Sequence, residues 1–161
     1  MSMLKLVRAS LIVCIALPLG VETVFSQSIR ESRQVARTLH KIRYYDEGCF
    51  LGQMPDKNYL RLENMGLEAI PALLKEVTVE DIRSKVGPNG YILVASCLIQ
   101  RITDKIEPLD WGKAYAARGE MGGLLTTAQR YQFQEEIMRQ LDEKSILKCK
   151  RSNNELTCDR K

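Results

Sequence analysis

The sequence predicts an all-α fold: a compact helical bundle closed by a small β-hairpin at its C-terminal end. Three observations carry this. Apolar residues recur at spacings of three and four along most of the chain, which is the period of an amphipathic helix. Residues suited to helix caps stand where those runs begin and end. The tail KCKRSNNELTC breaks the pattern, with two cysteines placed symmetrically about Asn153 and Asn154.

The start of the chain is set apart from this fold. Lys5 and Arg8 precede an apolar run from Ala9 to Val21 that Pro18 and Gly20 interrupt. A membrane-spanning helix needs about 20 apolar residues, so residues 1–26 read as a secretory signal peptide. Val24 and Ser26 are the small residues at which cleavage leaves Gln27 as the new N-terminus. An uncleaved anchor is the alternative reading. Residues 27–161 then make one domain. Loss of Lys5, Arg8 and Glu22 lowers the net charge of +4 by one, a balance too mild to imply nucleic acid.

The first helix is expected over residues 28–45. Val35, Leu39 and Ile42 fall at spacings of four and three, while Arg30, Arg33, Arg37 and Lys41 fall at three, four and four on the opposite side. One face is apolar and the other is a basic stripe. A loop over 46–55 follows. Asp56 caps a short helix that runs to Met65, and Gly66 closes it. The next helix spans 67–77. It contains Pro71, whose cost is mostly absent if Glu68 is the first helical residue and the proline falls in the first turn.

Residues 91–102 read as a helix, and from Tyr91 to Ile99 it is apolar on every side, which marks the central, buried element. The segment 103–125 is loosened by Pro108, Gly112, Gly119, Gly122 and Gly123, with Trp111 pinning it to the core. Helix returns over 126–144, opened by a capping box at Thr126 and Gln129, with Tyr131, Ile137, Met138 and Leu141 turned inward.

Residues 145–161 form the hairpin. A two-residue turn at Asn153 and Asn154, which tolerate positive φ, pairs Ser152 with Glu155, Arg151 with Leu156, Lys150 with Thr157, and Cys149 with Cys158. The sulfurs then meet across the hairpin, and an exported protein is where such a bond persists. Cys14 leaves with the leader. Cys49 and Cys97 remain, either paired with each other or as two thiols, the second in an apolar helix.

The junction of the second and third helices carries Met65, Gly66, Glu68, Ala69, Pro71, Ala72, Leu73 and Leu74. This resembles the HEAT/armadillo-type helical repeat, whose paired helices often carry Leu-Gly-x-Glu-Ala-x-Pro-Ala-Leu-Leu there, with Met65 departing from the leucine. The likeness covers residues 60–77, and no second copy is visible. Repeat stacks need three or more units for a continuous core, so the resemblance implies one HEAT-like pair embedded in the bundle.

Catalytic patterns are thin. His40, Asp46, Glu47 and Cys49 are close in sequence, yet a disulfide competes for Cys49 and His40 sits on an arginine-rich helix. The stretch RGEMGGLL, residues 118–125, lacks the strand, lysine and spacing of a phosphate loop and reads as a connector. Glu135 with Glu136, and Glu80 with Asp81, lie in polar stretches where solvated faces are the default. There is no CxxC, and His40 is the one histidine, so no zinc pattern and no cofactor are implied.

These observations predict an exported, periplasmic or secreted, non-catalytic protein-binding module of the adaptor, inhibitor or immunity type. The resemblance to helical-repeat proteins points the same way. The alternative is a small cell-envelope enzyme acting on cell-wall or lipid substrates. The expected contact is Arg30, Arg33, Arg37 and Lys41, with Glu31 and Glu47 as the nearby acids. Its expected partner is a protein with an acidic surface or an anionic envelope polymer. Neither nucleic acid nor a membrane span after leader removal is expected.

Overall fold

A computed structural model of the chain describes residues 30–42, 56–79, 90–119, 124–152 and 155–160. The leader over 1–26 and the loop around Asp46 and Cys49 fall outside the described residues. In chain order the elements are α1 (30–39), α2 (Lys57–Met65), a 3-10 turn (Gly66–Ala69), α3 (Ile70–Glu76), α4 (Gly90–Asp104), α5 (Trp111–Arg118), α6 (Thr127–Glu143), β1 (Leu147–Ser152) and β2 (Glu155–Arg160). The described chain is therefore mostly helical, with a two-stranded antiparallel hairpin at its C-terminal end.

One apolar core draws on all of these elements. Val35, Leu39 and Ile42 enter it from α1 and its exit, Leu73 and Leu74 from α3, Leu98 and Ile99 from α4, Phe133 and Ile137 from α6, and Leu156 from β2. Each such side chain contributes about 1.5–3 kcal/mol by leaving water. α4 lies against α2 and α3, α5 packs on α6, α6 on β1, and β2 against α3. α4 is buried on nearly every side, as its unbroken apolar sequence requires.

α1 ends earlier than its apolar period predicts. The helix stops at residue 39, and the amides of Lys41 and Ile42 bond only three residues back, to Thr38 and Leu39. Just past this end the carbonyl of His40 accepts the hydroxyl of Tyr91 at 3.1 Å. Ile42 is buried all the same.

Pro71 explains the next difference. In place of one helix over 67–77, a 3-10 turn leads into α3, with Pro71 in the first turn of α3. In an α-helix the carbonyl of Leu67 would accept from residue 71, and proline has no N–H to give. The amide of Ile70 takes that carbonyl instead, closing a tighter 3-10 ring. Upstream, the Asp56 side chain caps α2 by accepting from the Asn58 amide, and Gly66 ends it at φ 61°.

The segment expected to be loose holds a helix. Asp110 caps α5 by accepting from the Lys113 amide at 3.1 Å, and Gly119 ends it at φ 77°. Gly112 and Gly119 therefore stand near the ends of a short helix rather than marking a coil, and Gly122 and Gly123 lie outside the described residues. Trp111 does pin the region, its ring lying 5.8 Å from that of Tyr115 and 6.4 Å from that of Phe133.

α6 opens with both arms of the capping box in place: Thr126 Oγ1 accepts from the Gln129 amide, and Gln129 Oε1 accepts from the Thr126 amide. Ile137 and Leu141 are buried, whereas Tyr131 and Met138 are only half-buried and Phe133 takes the central place. The helix leaves through Ser145 at φ 55°. There the Ile146 amide reaches back to the Leu141 carbonyl and the Ser145 amide to that of Asp142, the paired bonds of a Schellman stop.

The hairpin has the expected register at every pair, from Ser152 with Glu155 to Cys149 with Cys158. Cys149 and Cys158 are disulfide-bonded. Leu147 and Leu156 are buried beneath the hairpin. Asn153 and Asn154 lie outside the described residues. Cys97 is itself in a disulfide, so the reading of it as a buried thiol is corrected. The expected partner, Cys49, falls outside the described residues.

Candidate functional site

The basic stripe is a consequence of how α1 is seated. Its apolar side is held by the core, and the last turn is fastened at three points. The His40 ring stacks on Tyr91, centroids 4.4 Å apart and planes 16° from parallel. His40 Nε2 meets the Glu76 carboxylate at 2.9 Å, and the Tyr91 hydroxyl donates to the His40 carbonyl. With Val35, Leu39 and Ile42 buried, α1 and the turn that ends it leave Arg30, Arg33, Arg37 and Lys41 to solvent. All four are exposed.

Their electrostatics are unbalanced. Among the described residues, none of the four side chains has a hydrogen-bond or ion-pair partner. Like charges three or four residues apart on a helix repel by a few tenths of a kcal/mol per pair. Thr38, between them in sequence, is buried and donates its hydroxyl to the Gln34 carbonyl at 2.8 Å. No large apolar side chain is exposed on α1.

Several other charged groups are engaged, although Lys57, Arg61, Lys75, Lys148 and Lys150 also lack an ion pair among the described residues. Glu63 is only 6 % exposed, between Lys105 Nζ at 2.8 Å and Arg101 Nη2 at 3.2 Å. Burial by itself would raise its pKa, but the hydrogen bonds and charges of Lys105 and Arg101 outweigh that and hold it below the usual carboxylate range. Glu136 is held low chiefly by the Arg139 guanidinium, which bridges to Glu143 as well. Asp110 is held low chiefly by the Lys113 amide it caps.

A shallow, open groove of about 420 Å³ lies between α5 and α6, lined by Ala117, Gln132, Glu135, Glu136 and Arg139. Its carboxylates are already paired, Glu136 with Arg139 and Glu135 with Arg151 at 3.5 Å. A general acid working near neutral pH wants its pKa raised by burial or a neighbouring anion. The Glu136 shift runs the other way.

Arg30, Arg33, Arg37 and Lys41 are thus all exposed, while the described groups with catalytic potential are held in other contacts. His40 is committed to Glu76 and Tyr91, while Asp46, Glu47, Cys49, Glu80 and Asp81 lie outside the described residues. Of the connector over 118–125, Arg118 ends α5 and lies over the Tyr115 and Phe133 rings at 4.7 Å and 5.4 Å. Sequence reasoning missed the His40, Glu76 and Tyr91 fastening, whose members lie 36 and 51 residues apart. It missed the Glu63 cluster as well, although Arg101 and Lys105 at a spacing of four were a readable sign of a shared acid.

Among the described residues no group of three or more potential metal-ligating side chains converges, and no helix is long and apolar enough to cross a membrane. No protein-family model, curated protein or solved structure matches the chain.

Proposed function

We propose that this protein is a non-catalytic binding module that works outside the cytosol and uses the outward face of α1 to hold an acidic partner. The observation that carries the reading is the four exposed cations, without counter-ions among the described residues, on a helix whose other face is locked into the core. Such a stripe raises the local positive potential and speeds encounter with an acidic surface.

The charged and apolar start of the chain supports this compartment, as does the Cys149 to Cys158 crosslink, which is at home in an oxidising environment. α2 and α3, with the Gly66 and Pro71 junction between them, supply a HEAT-like pair as scaffold. Support for a role without catalysis comes from the carboxylates: Glu63, Asp110 and Glu136 are all held low and ionised.

The test is charge reversal on the stripe. Arg33→Glu with Arg37→Glu should leave the far-ultraviolet dichroism and the melting temperature nearly unchanged, because both side chains point to water. Immobilised residues 27–161 should retain acidic envelope components at low salt, and the double variant should lose them. Equal retention by the two proteins would mean that α1 is only a solvated face.

A further inference from the structure

We infer that the Cys149 to Cys158 bond is a redox latch: a dithiol reductant opens it in the folded protein, and its opening loosens the C-terminal end of α3 as well as the hairpin itself.

Access favours this bond. Cys149 and Cys158 face each other across the hairpin and are only half-buried. Cys97, also in a disulfide, is 2 % exposed, so attack on its sulfur requires α4 to open. Exchange needs a thiolate to reach a disulfide sulfur, and its rate follows that access. A thiolate of the reductant attacks one sulfur of the hairpin, and the other leaves as a thiolate and takes up a proton. The reductant's second sulfur then displaces the first, so two electrons pass to the protein and the reductant closes its own disulfide. Once open, the strand pair has little else to hold it. A two-stranded hairpin is marginal alone, and this one adds the buried Leu147 and Leu156 and an Arg160 to Glu68 pair at 3.6 Å, which its exposure to water makes weak.

Arg151 couples the hairpin to α3. Its guanidinium lies 4.2 Å over the Tyr131 ring and donates to the Gln134 side-chain oxygen. Gln134 is 2 % exposed, and its amide donates to the Leu74 carbonyl at 2.6 Å. That carbonyl needs a donor. The Thr78 amide, which a longer α3 would bring to it, bonds to Lys75 instead, so the Leu74 oxygen is one of the orphan carbonyls of a helix end. Gln134 is therefore the cap of α3, and Arg151 satisfies the other half of the same buried amide. When β1 frays, Arg151 withdraws and the Gln134 oxygen is left unpaired in the core, a costly state for a buried acceptor. The side chain relieves it only by giving up its fixed place on Leu74.

The experiment treats the oxidised protein with dithiothreitol without denaturant, identifies released thiols by alkylation and mass spectrometry, and follows amide hydrogen exchange. The expected result is alkylation of Cys149 and Cys158 together, ahead of Cys97, while the helical dichroism persists. Exchange should quicken about tenfold at the amides of β1 and β2, and about threefold at those of Val77, Thr78 and Val79, which close the end of α3. The amides in the middle of α4 should keep their rates. Arg151→Ala, with the disulfide intact, should reproduce the α3 effect without freeing the sulfurs. Cys149→Ala with Cys158→Ala should reproduce both effects without reductant, and if that variant does not fold, reduced wild type and Arg151→Ala decide the matter. Faster exchange confined to the hairpin in the reduced protein would overturn the inference. Release of the two thiols only as the helical signal is lost would overturn it too, because the bond would then be a buried staple and not a latch.

Discussion

The imidazole of His40 lies flat against the ring of Tyr91, two residues 51 positions apart in sequence that fasten the end of α1 onto the start of α4. Glu76 completes the arrangement from the end of α3. Because the stack and the Glu76 bond hold only this end of α1, His40→Ala should lower stability by about 1–2 kcal/mol. Chemical denaturation reads the loss. Lys41, next in the chain, should then contribute less to binding while Arg30 and Arg33 keep their part.

Glu63 should make stability depend on acid. Its pKa is lowered in the fold by Lys105 and Arg101 against the cost of burial. A depressed carboxylate stabilises above its unfolded pKa, and that contribution is lost as pH falls through the folded value. Glu63→Gln should therefore cost about 1–3 kcal/mol at pH 7, a gap that closes below about pH 4. Urea midpoints for both proteins from pH 7 to pH 3 measure it, and a gap independent of pH would contradict the assignment.

Ser145 holds the left-handed position of the Schellman stop after α6, where glycine carries no steric cost. Ser145→Gly should raise stability by about 0.5–1 kcal/mol. Thermal melting reads the change. A loss would mean that the serine side chain makes a contact of its own there.

The disulfide between Cys149 and Cys158 closes a short loop, so removing both sulfurs as alanines should cost about 2–3 kcal/mol in the chain-entropy picture. Non-reducing peptide mapping should recover the linked pair. The core of the bundle should survive, because its apolar centre lies in α3, α4 and α6.

What was legible in the sequence was local. Asp56, Gly66, Thr126 with Gln129, and the cysteines flanking Asn153 act within a few residues, and each does in the fold what its type dictates. The exposed stripe followed from the helical period alone. What stayed hidden was set by distant partners. The turn after α1 is tied to α4 through Tyr91 and the His40 carbonyl, and Gln134, polar by sequence, is buried with its amide on the Leu74 carbonyl at 2.6 Å. α5 was missed because glycine and proline lower local helix preference, while Asp110 and Trp111 restore it through a cap and a core contact. The junction at Pro71 was read correctly as a first turn, but the 3-10 ring before it depends on which carbonyl Ile70 takes.

The most direct measurement of the central claim is where on the surface an acidic partner sits. Titrating poly-glutamate into isotopically labelled protein while following the arginine side-chain N–H signals resolves each guanidinium separately. The account predicts saturating shifts for Arg30, Arg33 and Arg37, with Arg139 and Arg151, already paired to Glu136 and Glu135, nearly still. Largest shifts at Arg139 or Arg151, or at the β1 amides of Lys148 and Lys150, would contradict it.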